Sequence, residues 1–295
     1  MWPEAVRAIR EAKPRAFVFE NVKGLARAGF ATYLQYIVLR LEWPECEREP
    51  DEDWRAHLDR LEKIKTAGTR SALHYRVVYE VLNAADFGVP QRRERIFFVG
   101  FRSDLRVSWA FPRATHSREA LVWDIVRGGE YWDRHRVPNA DRSFDARDAV
   151  LAHALPLRPA LRPWRTVRDA LSGLPDPEHA AVAAASYQGH RFQPGARSYP
   201  GRTGSPLDLP AKALKAGVHG VPGGENMLVR PDGSVRYFTV REAARLQTFA
   251  DGHRLEGAWS EAMRQLGNAV PVQLATVVGR SIAKALHQTC DQATI

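Results

Sequence analysis

The run from Phe87 to Gly100, FGVPQRRERIFFVG, concentrates groups able to do polar chemistry. Gly88 and Pro90 mark a turn, and Ile96-Phe97-Phe98-Val99 is an apolar stretch of strand length. If the chain is extended from Gln91 onward, alternate side chains share a face, so Gln91, Arg93 and Arg95 point one way and Arg92 and Glu94 the other. One amide and two guanidinium forks in a row suit a planar ligand with carbonyl acceptors, or a phosphate. A surface hairpin with solvated charges fits the same residues. The second candidate is Glu20, where the continuous apolar run Ala16-Phe17-Val18-Phe19 stops. Such a run reads as a strand covered on both faces. In open parallel sheets ligands bind at the carboxyl ends of strands, where Glu20 would sit. A strand-ending acid that caps the turn before Gly24 is the alternative.

These side chains need elements to hold them. Pro3 to Glu11 reads as a helix, and Thr32 to Leu41 as another with Tyr33, Ile37, Val38 and Leu41 on one side. Glu42 to Arg70 is highly charged and is expected to be a partly helical, solvated excursion. Tyr75 to Leu82 is a strand whose Gly-Pro connection would place the Gln91 row at the edge of the same sheet. From about Arg102 to Val235 periodicity weakens, and Trp109, Trp123, Trp132 and Trp164 lie among arginines, as in a small loop-rich domain. Those aromatics could stack on bases, or form an ordinary core with a charged rim. Thr166 to Leu171 is a short helix with a Gly/Pro stop, and His219 to Asn226 is a Gly-rich loop. Thr239 with Glu242 forms a capping box for a helix running to about Phe249. Ser260 is expected to cap the next helix. Asn268 then sits in a break before a final helix begun by Pro271, with Leu274, Ala275, Val278, Ile282, Ala285 and Leu286 as its buried stripe.

With 295 residues the chain can bury an ample core. Its formal charge of +9 is carried mostly by arginine and tilts toward a polyanionic partner such as nucleic acid. The two cysteines, Cys46 and Cys290, make neither a disulfide framework nor a zinc pattern, so no metal site is expected and a cytoplasmic setting is the default. No apolar run is long enough to span a bilayer.

Four signals occur in order: ENV at Glu20 to Val22, QRRER at Gln91 to Arg95, TVREAARLQTF at Thr239 to Phe249, and QLGNAVP at Gln265 to Pro271. Together they resemble the later motifs of DNA (cytosine-5) methyltransferases and span nearly the whole chain. The resemblance implies an α/β fold: a partial S-adenosylmethionine-dependent methyltransferase (Rossmann-like) sheet with a smaller, loop-rich target recognition domain. It divides the chain into the second half of a catalytic domain (1–111), the recognition domain (112–235) and C-terminal helices returning to the catalytic domain (236–295).

In that family a cysteine thiolate adds to cytosine C6, an acid serves N3, C5 accepts the methyl group, and a base removes the C5 proton. The base must first leave the helix stack. The resemblance makes Glu20 the carboxylate at N3 and the exocyclic amine, its pKa raised by burial, and Arg95 the donor to O2. Arg93 and Gln91 would brace the pocket or contact phosphate. Asn268, Val270 and Phe249 would touch the methionine portion of S-adenosyl-L-methionine. Asn21, Arg92, Gly223, Gly224 and Arg241 are implied on the side of double-stranded DNA.

The family's Gly-rich cofactor loop and its Pro-Cys nucleophile motif have no counterpart in this sequence. Cys46 lies between Glu45 and Glu47, whose charges would raise a thiol pKa, and Cys290 lies near the end of the last helix; neither is given the nucleophile's role. The expectation is an N-terminally truncated or split enzyme, served by a complementary subunit that carries the missing motifs. Met1-Trp2-Pro3 inside an otherwise internal helix favours a truncated start. Alone, the strand at Ala16 to Phe19 would keep an open edge and aggregate. A catalytically inactive DNA-binding remnant and a tRNA cytosine-5 methyltransferase are the alternatives. A restriction-modification role is the family's usual association.

Overall fold

The computed structural model describes residues 2–68, 72–200, 203–216 and 226–292. It falls into two compact units, one of Met1–Leu82, Glu94–Pro112 and Val278–Ile295, the other of Asn83–Arg93 and Arg113–Val277. The boundary cuts the QRRER run between Arg93 and Glu94.

In the first unit, helix α1 (Trp2–Ala12) buries Val6 and Ile9, and Lys13 ends it in the left-handed region. Strand β1 (Ala16–Val22) follows, then α2 (Ala31–Glu42), α3 (Trp54–Thr66), β2 (Tyr75–Asn83) and β3 (Glu94–Arg102). The sheet order is β1-β3-β2, so β3 is central. β1 runs antiparallel to β3, with Phe17 opposite Gly100 and Val22 opposite Arg95. A side chain at Gly100 would place its Cβ 2.2 Å from the Phe17 ring; glycine lets that ring lie across the central strand. The core on this side collects Val6, Ile9, Phe17, Leu34, Ile37, Leu41, Tyr75, Ile96 and Phe98.

Helix α2 has a second apolar face. Tyr36, Leu39 and Trp43 pack against Leu58 and Leu61 of α3. The charged stretch after Glu42 is therefore not merely a solvated excursion: a helix with leucines three residues apart finds a partner face. Leu34 is buried on α2 in place of the expected Tyr33, which stays exposed. Val18 and Val22 of β1 are also exposed, and among the described residues β1 pairs with β3 alone.

The second unit is built from short pieces. Strand β4 (His116–Ser117) leads into α4 (Arg118–Trp123), followed by α5 (Glu130–Arg134), α6 (Ala146–Ala154), β5 (Arg162–Pro163), α7 (Val167–Leu171) and α8 (Ala181–Ala184). Then come β6 (Ser205–Pro206), β7 (Met227–Val229), β8 (Val235–Tyr237), α9 (Val240–Leu246) and α10 (Trp259–Asn268). α11 (Val272–Gln292) ends the described chain, and Val278 and the residues after it belong to the first unit. β4 and β5 run parallel; β7 runs parallel to β6 and antiparallel to β8. The expected capping box of Thr239 with Glu242 is present on α9, and α7 carries a second one, Thr166 with Asp169. Glu242 also takes two 2.7 Å bonds from the buried Arg236 fork.

Two expectations need correction here, and one open reading is narrowed. Helix α10 starts at Trp259 with Ala258 at its N-cap, not Ser260; the Trp259 indole N–H fixes the entry by donating to Phe238 O at 3.0 Å. On α11 Leu274, Val278 and Ala285 are buried, while Ala275 is exposed. The tryptophans among the arginines are committed internally. Trp132 is buried and donates to Ile125 O at 2.8 Å, Trp164 donates to Asp86 Oδ1 at 2.9 Å, and Trp109 donates to Ser281 Oγ at 2.9 Å. Trp123 has the Arg127 guanidinium over its ring.

Candidate active-site residues

In the first unit, the register that sets Val22 opposite Arg95 and Glu20 opposite Phe97 makes Glu20 and Arg95 diagonal neighbours on one sheet face. Arg95 Nε lies 2.8 Å from Glu20 Oε1, with side chains 15% and 23% exposed. Burial lowers the Arg95 pKa, and the Glu20 charge opposes that shift. Arg95 Nη1 also donates to Glu94 O at 2.8 Å. Glu20 and Arg95 are thus each other's charge partner on this face. Asn21 accepts from Val22 N through Oδ1 at 2.8 Å, and Lys23 pairs with Glu94 beside it.

In the second unit, Gln91 and Arg93 are fully buried. The strand starts at Glu94 rather than Gln91, so the three side chains do not form one exposed row. Gln91 pairs with Ala211 in an isolated parallel bridge, accepts from Leu214 N through Oε1 at 3.3 Å, and donates from Nε2 to Leu246 O at 3.4 Å. Arg93 donates to Leu214 O at 2.9 Å and to Gly267 O at 2.6 Å. Leu246 and Gly267 lie in the last turns of α9 and α10, whose carbonyls lack intrahelical donors. A cation there also meets the negative end of the helix dipole. The Gln91 and Arg93 side chains are therefore committed to backbone groups of their own unit and are closed to solvent.

The brace fixes the segment before Lys215 against α10. A Cβ at Gly267 would lie 2.3 Å from Ala216 N and 2.5 Å from Lys215 C, so only glycine permits this approach. Asn226 closes the other side, accepting from Lys215 N at 3.1 Å and donating to Lys215 O at 3.0 Å. Gln247 joins the same work by donating to Leu266 O at 2.7 Å. Sequence reasoning gave Asn226 and Gln247 no role; their only signal was an amide beside a Gly-rich loop and beside the end of a capped helix. Gly223 and Gly224 lie outside the described residues.

Arg241 is not placed to contact DNA. Its side chain is 3% exposed and donates to Gln188 O, Ala250 O and His253 O at 3.0–3.1 Å. Arg92 does expose its side chain, while its backbone N–H donates to Ala211 O. Asn268 is exposed at the end of α10, Val270 is half-buried, and the half-buried Phe249 ring lies 4.7 Å from that of His253.

The profile of the C-5 cytosine-specific DNA methylase family matches residues 57–284. The chain belongs to this family. It is 30% identical over 96% of its length to the type II methyltransferase M.SacI of Streptomyces achromogenes, and 27% identical over 99% to M.AplI of Arthrospira platensis. It spans 63% of each of those relatives. A solved structure described as a prophage-encoded DNA modification methyltransferase of Escherichia coli matches 97% of this chain and 73% of that one, with 17% identity and a TM-score of 0.52. That likeness is one of fold and agrees with the Rossmann-like methyltransferase class.

The family's thiolate chemistry directs attention to Cys46, the cysteine among the described side chains. Burial raises its pKa and the Glu52 charge adds to this, against the opposing charge of Arg60, whose Nη1 donates to Sγ at 3.1 Å. The direction expected from sequence holds, but the cause differs. Glu45 accepts from Leu73 N at 3.2 Å and Glu47 pairs with Arg10 at 2.6 Å, so the flanking acids are engaged elsewhere. No described helix is long and apolar enough to cross a membrane.

Proposed function

We propose that this chain forms the later part of a DNA (cytosine-5-)-methyltransferase, acting on a flipped cytosine in a specific duplex sequence with S-adenosyl-L-methionine as methyl donor. The observation that carries the reading is the Glu20–Arg95 pair on a sheet face of a chain belonging to the cytosine methylase family. Cytosine O2 offers Arg95 an acceptor, the exocyclic amine donates to Glu20, and N3 is the acceptor for a proton that Glu20 carries. Engaging both edges replaces the mutual ion pair and frees Glu20 to hold or release a proton at N3. The exposed amide of Asn268, the half-buried Val270 two residues on, and the part-exposed Phe249 ring fit contact with the methionine end of the cofactor. When bound, that cofactor supplies the electrophilic methyl group.

Residues 1–111 and 236–295 serve the catalytic domain and 112–235 the recognition domain in this reading. In this reading the nucleophile is a Pro-Cys cysteine other than Cys46, supplied by a longer form of the chain or by a complementary polypeptide, because the half-buried Cys46 thiol has a raised pKa. The test mixes the chain, with and without such a polypeptide, with tritiated S-adenosyl-L-methionine and bacterial duplex DNA. Transfer is expected only in the mixture, and Glu20→Gln or Arg95→Ala should lower it at least about 100-fold. Transfer by the chain alone contradicts the split nucleophile, and wild-type rates in both variants contradict the assigned roles.

A further inference from the structure

Within the second unit, the stretch from His190 to Leu207 contains no acidic residue. Its start is pinned: His190 is buried, with Nδ1 2.8 Å from Thr239 Oγ1 and Nε2 2.7 Å from Pro175 O. Its end is pinned too, since Ser205 is buried and β6 pairs with β7. Between them Arg191 to Ser198 is neither helix nor paired strand. Arg191 and Arg197 are exposed, Phe192 is 37% exposed, and Tyr199 is 55% exposed.

Charge separates this strap from much of its unit. Arg168 is tied to Asp208, Arg230 to Asp176, Arg236 to Glu242 and Arg245 to Asp251. Arg191 and Arg197 have no carboxylate partner among the described residues. Those same pairs neutralise acids that would otherwise repel a polyanion. Arg191 and Arg197 stand six residues apart and Phe192 and Tyr199 seven; six extended residues span at most about 20 Å, more than the ~12 Å width of a major groove. Pro194 and Pro200 limit the backbone freedom lost on binding.

We propose that Arg191 to Pro200 is a DNA-contacting strap, with Arg191 and Arg197 on phosphates and Phe192 and Tyr199 against the groove. The proposal rests on the DNA methyltransferase reading and names a contact surface within it. A duplex is the partner because exposed guanidinia without carboxylates suit phosphate, and the aromatic side chains supply apolar contact to base edges.

The test measures binding of the full chain to a fluorescein-labelled random-sequence 40-base-pair duplex across a salt series. Neutralising one phosphate contributes about 0.9 to the slope of log K against log[salt], so Arg191→Ala/Arg197→Ala should flatten it by about 1.8. Phe192→Ala/Tyr199→Ala should weaken binding about tenfold without changing the slope. Arg147→Ala/Arg162→Ala, removing two exposed arginines elsewhere in the unit, should leave the slope at its wild-type value. All variants should melt like the wild type, because the substituted side chains are exposed. A wild-type slope and affinity in the strap variants overturns the strap and leaves the DNA reading intact. Equal flattening by the control pair also overturns it, showing diffuse charge instead. Wild-type protein that binds the duplex without salt dependence contradicts the DNA reading itself.

Discussion

Arg93 and Arg95 stand two residues apart in one motif and live in different physical worlds. Arg93 is sealed in the second unit, with its fork spent on the carbonyls of Leu214 and Gly267. Arg95 is the second residue of the central strand of the first unit and faces Glu20 at a partly open site. The difference teaches that identical side chains at alternate positions need not share a task. One guanidinium completes helix ends and fixes a segment, while the other keeps a partly exposed carboxylate partner, which the proposed function has a substrate replace.

The comparison can be broken by substitution. The largest expected effect is the loss of methyl transfer in Glu20→Gln and Arg95→Ala, in proteins that lose less stability than Arg93→Ala, because the pair keeps some solvent access while Arg93 is sealed. Arg93→Ala should behave oppositely, losing about 3 kcal/mol of stability as two carbonyls lose a charged donor, measured by urea unfolding. Arg93→Lys should not restore it, since one ammonium cannot reproduce the fork to two carbonyls. Gly267→Ala tests the same clasp from the other side and should cost about 2 kcal/mol through overpacking against Ala216 and Lys215.

A smaller effect sharpens the picture of the second unit. Burial, aided by the charges of Arg162 and Arg165, depresses the His116 pKa from 6.5 to about 4. Above pH 6.5 the imidazole is neutral folded or unfolded. As pH falls from 6.5 toward 4 the unfolded chain binds the proton first, so folded-state stability is lost across that window, by up to about 2 kcal/mol. Unfolding curves at pH 7 and pH 4.5 should show a smaller difference in His116→Asn. An unchanged difference would remove His116 as the cause.

Local signals were legible in sequence where the physics is local. Thr239 with Glu242 forms a cap because hydroxyl and carboxylate reach backbone donors within one turn, and the same spacing at Thr166 and Asp169, read from sequence only as a short helix, forms another. Ser260 misled because the helix start is set by a tertiary bond from Trp259 to Phe238. Glu20 and Arg95 were legible as a pair only through the order of the motifs. Their antiparallel register is a long-range fact that neither strand encodes alone. The tryptophans were the least legible: an indole beside arginines can stack on a base or fill a core, and only the carbonyl, hydroxyl or carboxylate waiting for its N–H decides. Arg241 failed for the same reason, as an arginine at a domain junction that proves to be surrounded by backbone oxygens.

The division of labour within the motif is tested most directly by thermal melting of Arg93→Ala and Arg95→Ala in parallel. Arg93→Ala should melt about 6–12 °C below the wild type and Arg95→Ala within about 3 °C of it. Equal shifts in the two variants, or a larger one in Arg95→Ala, would contradict the account.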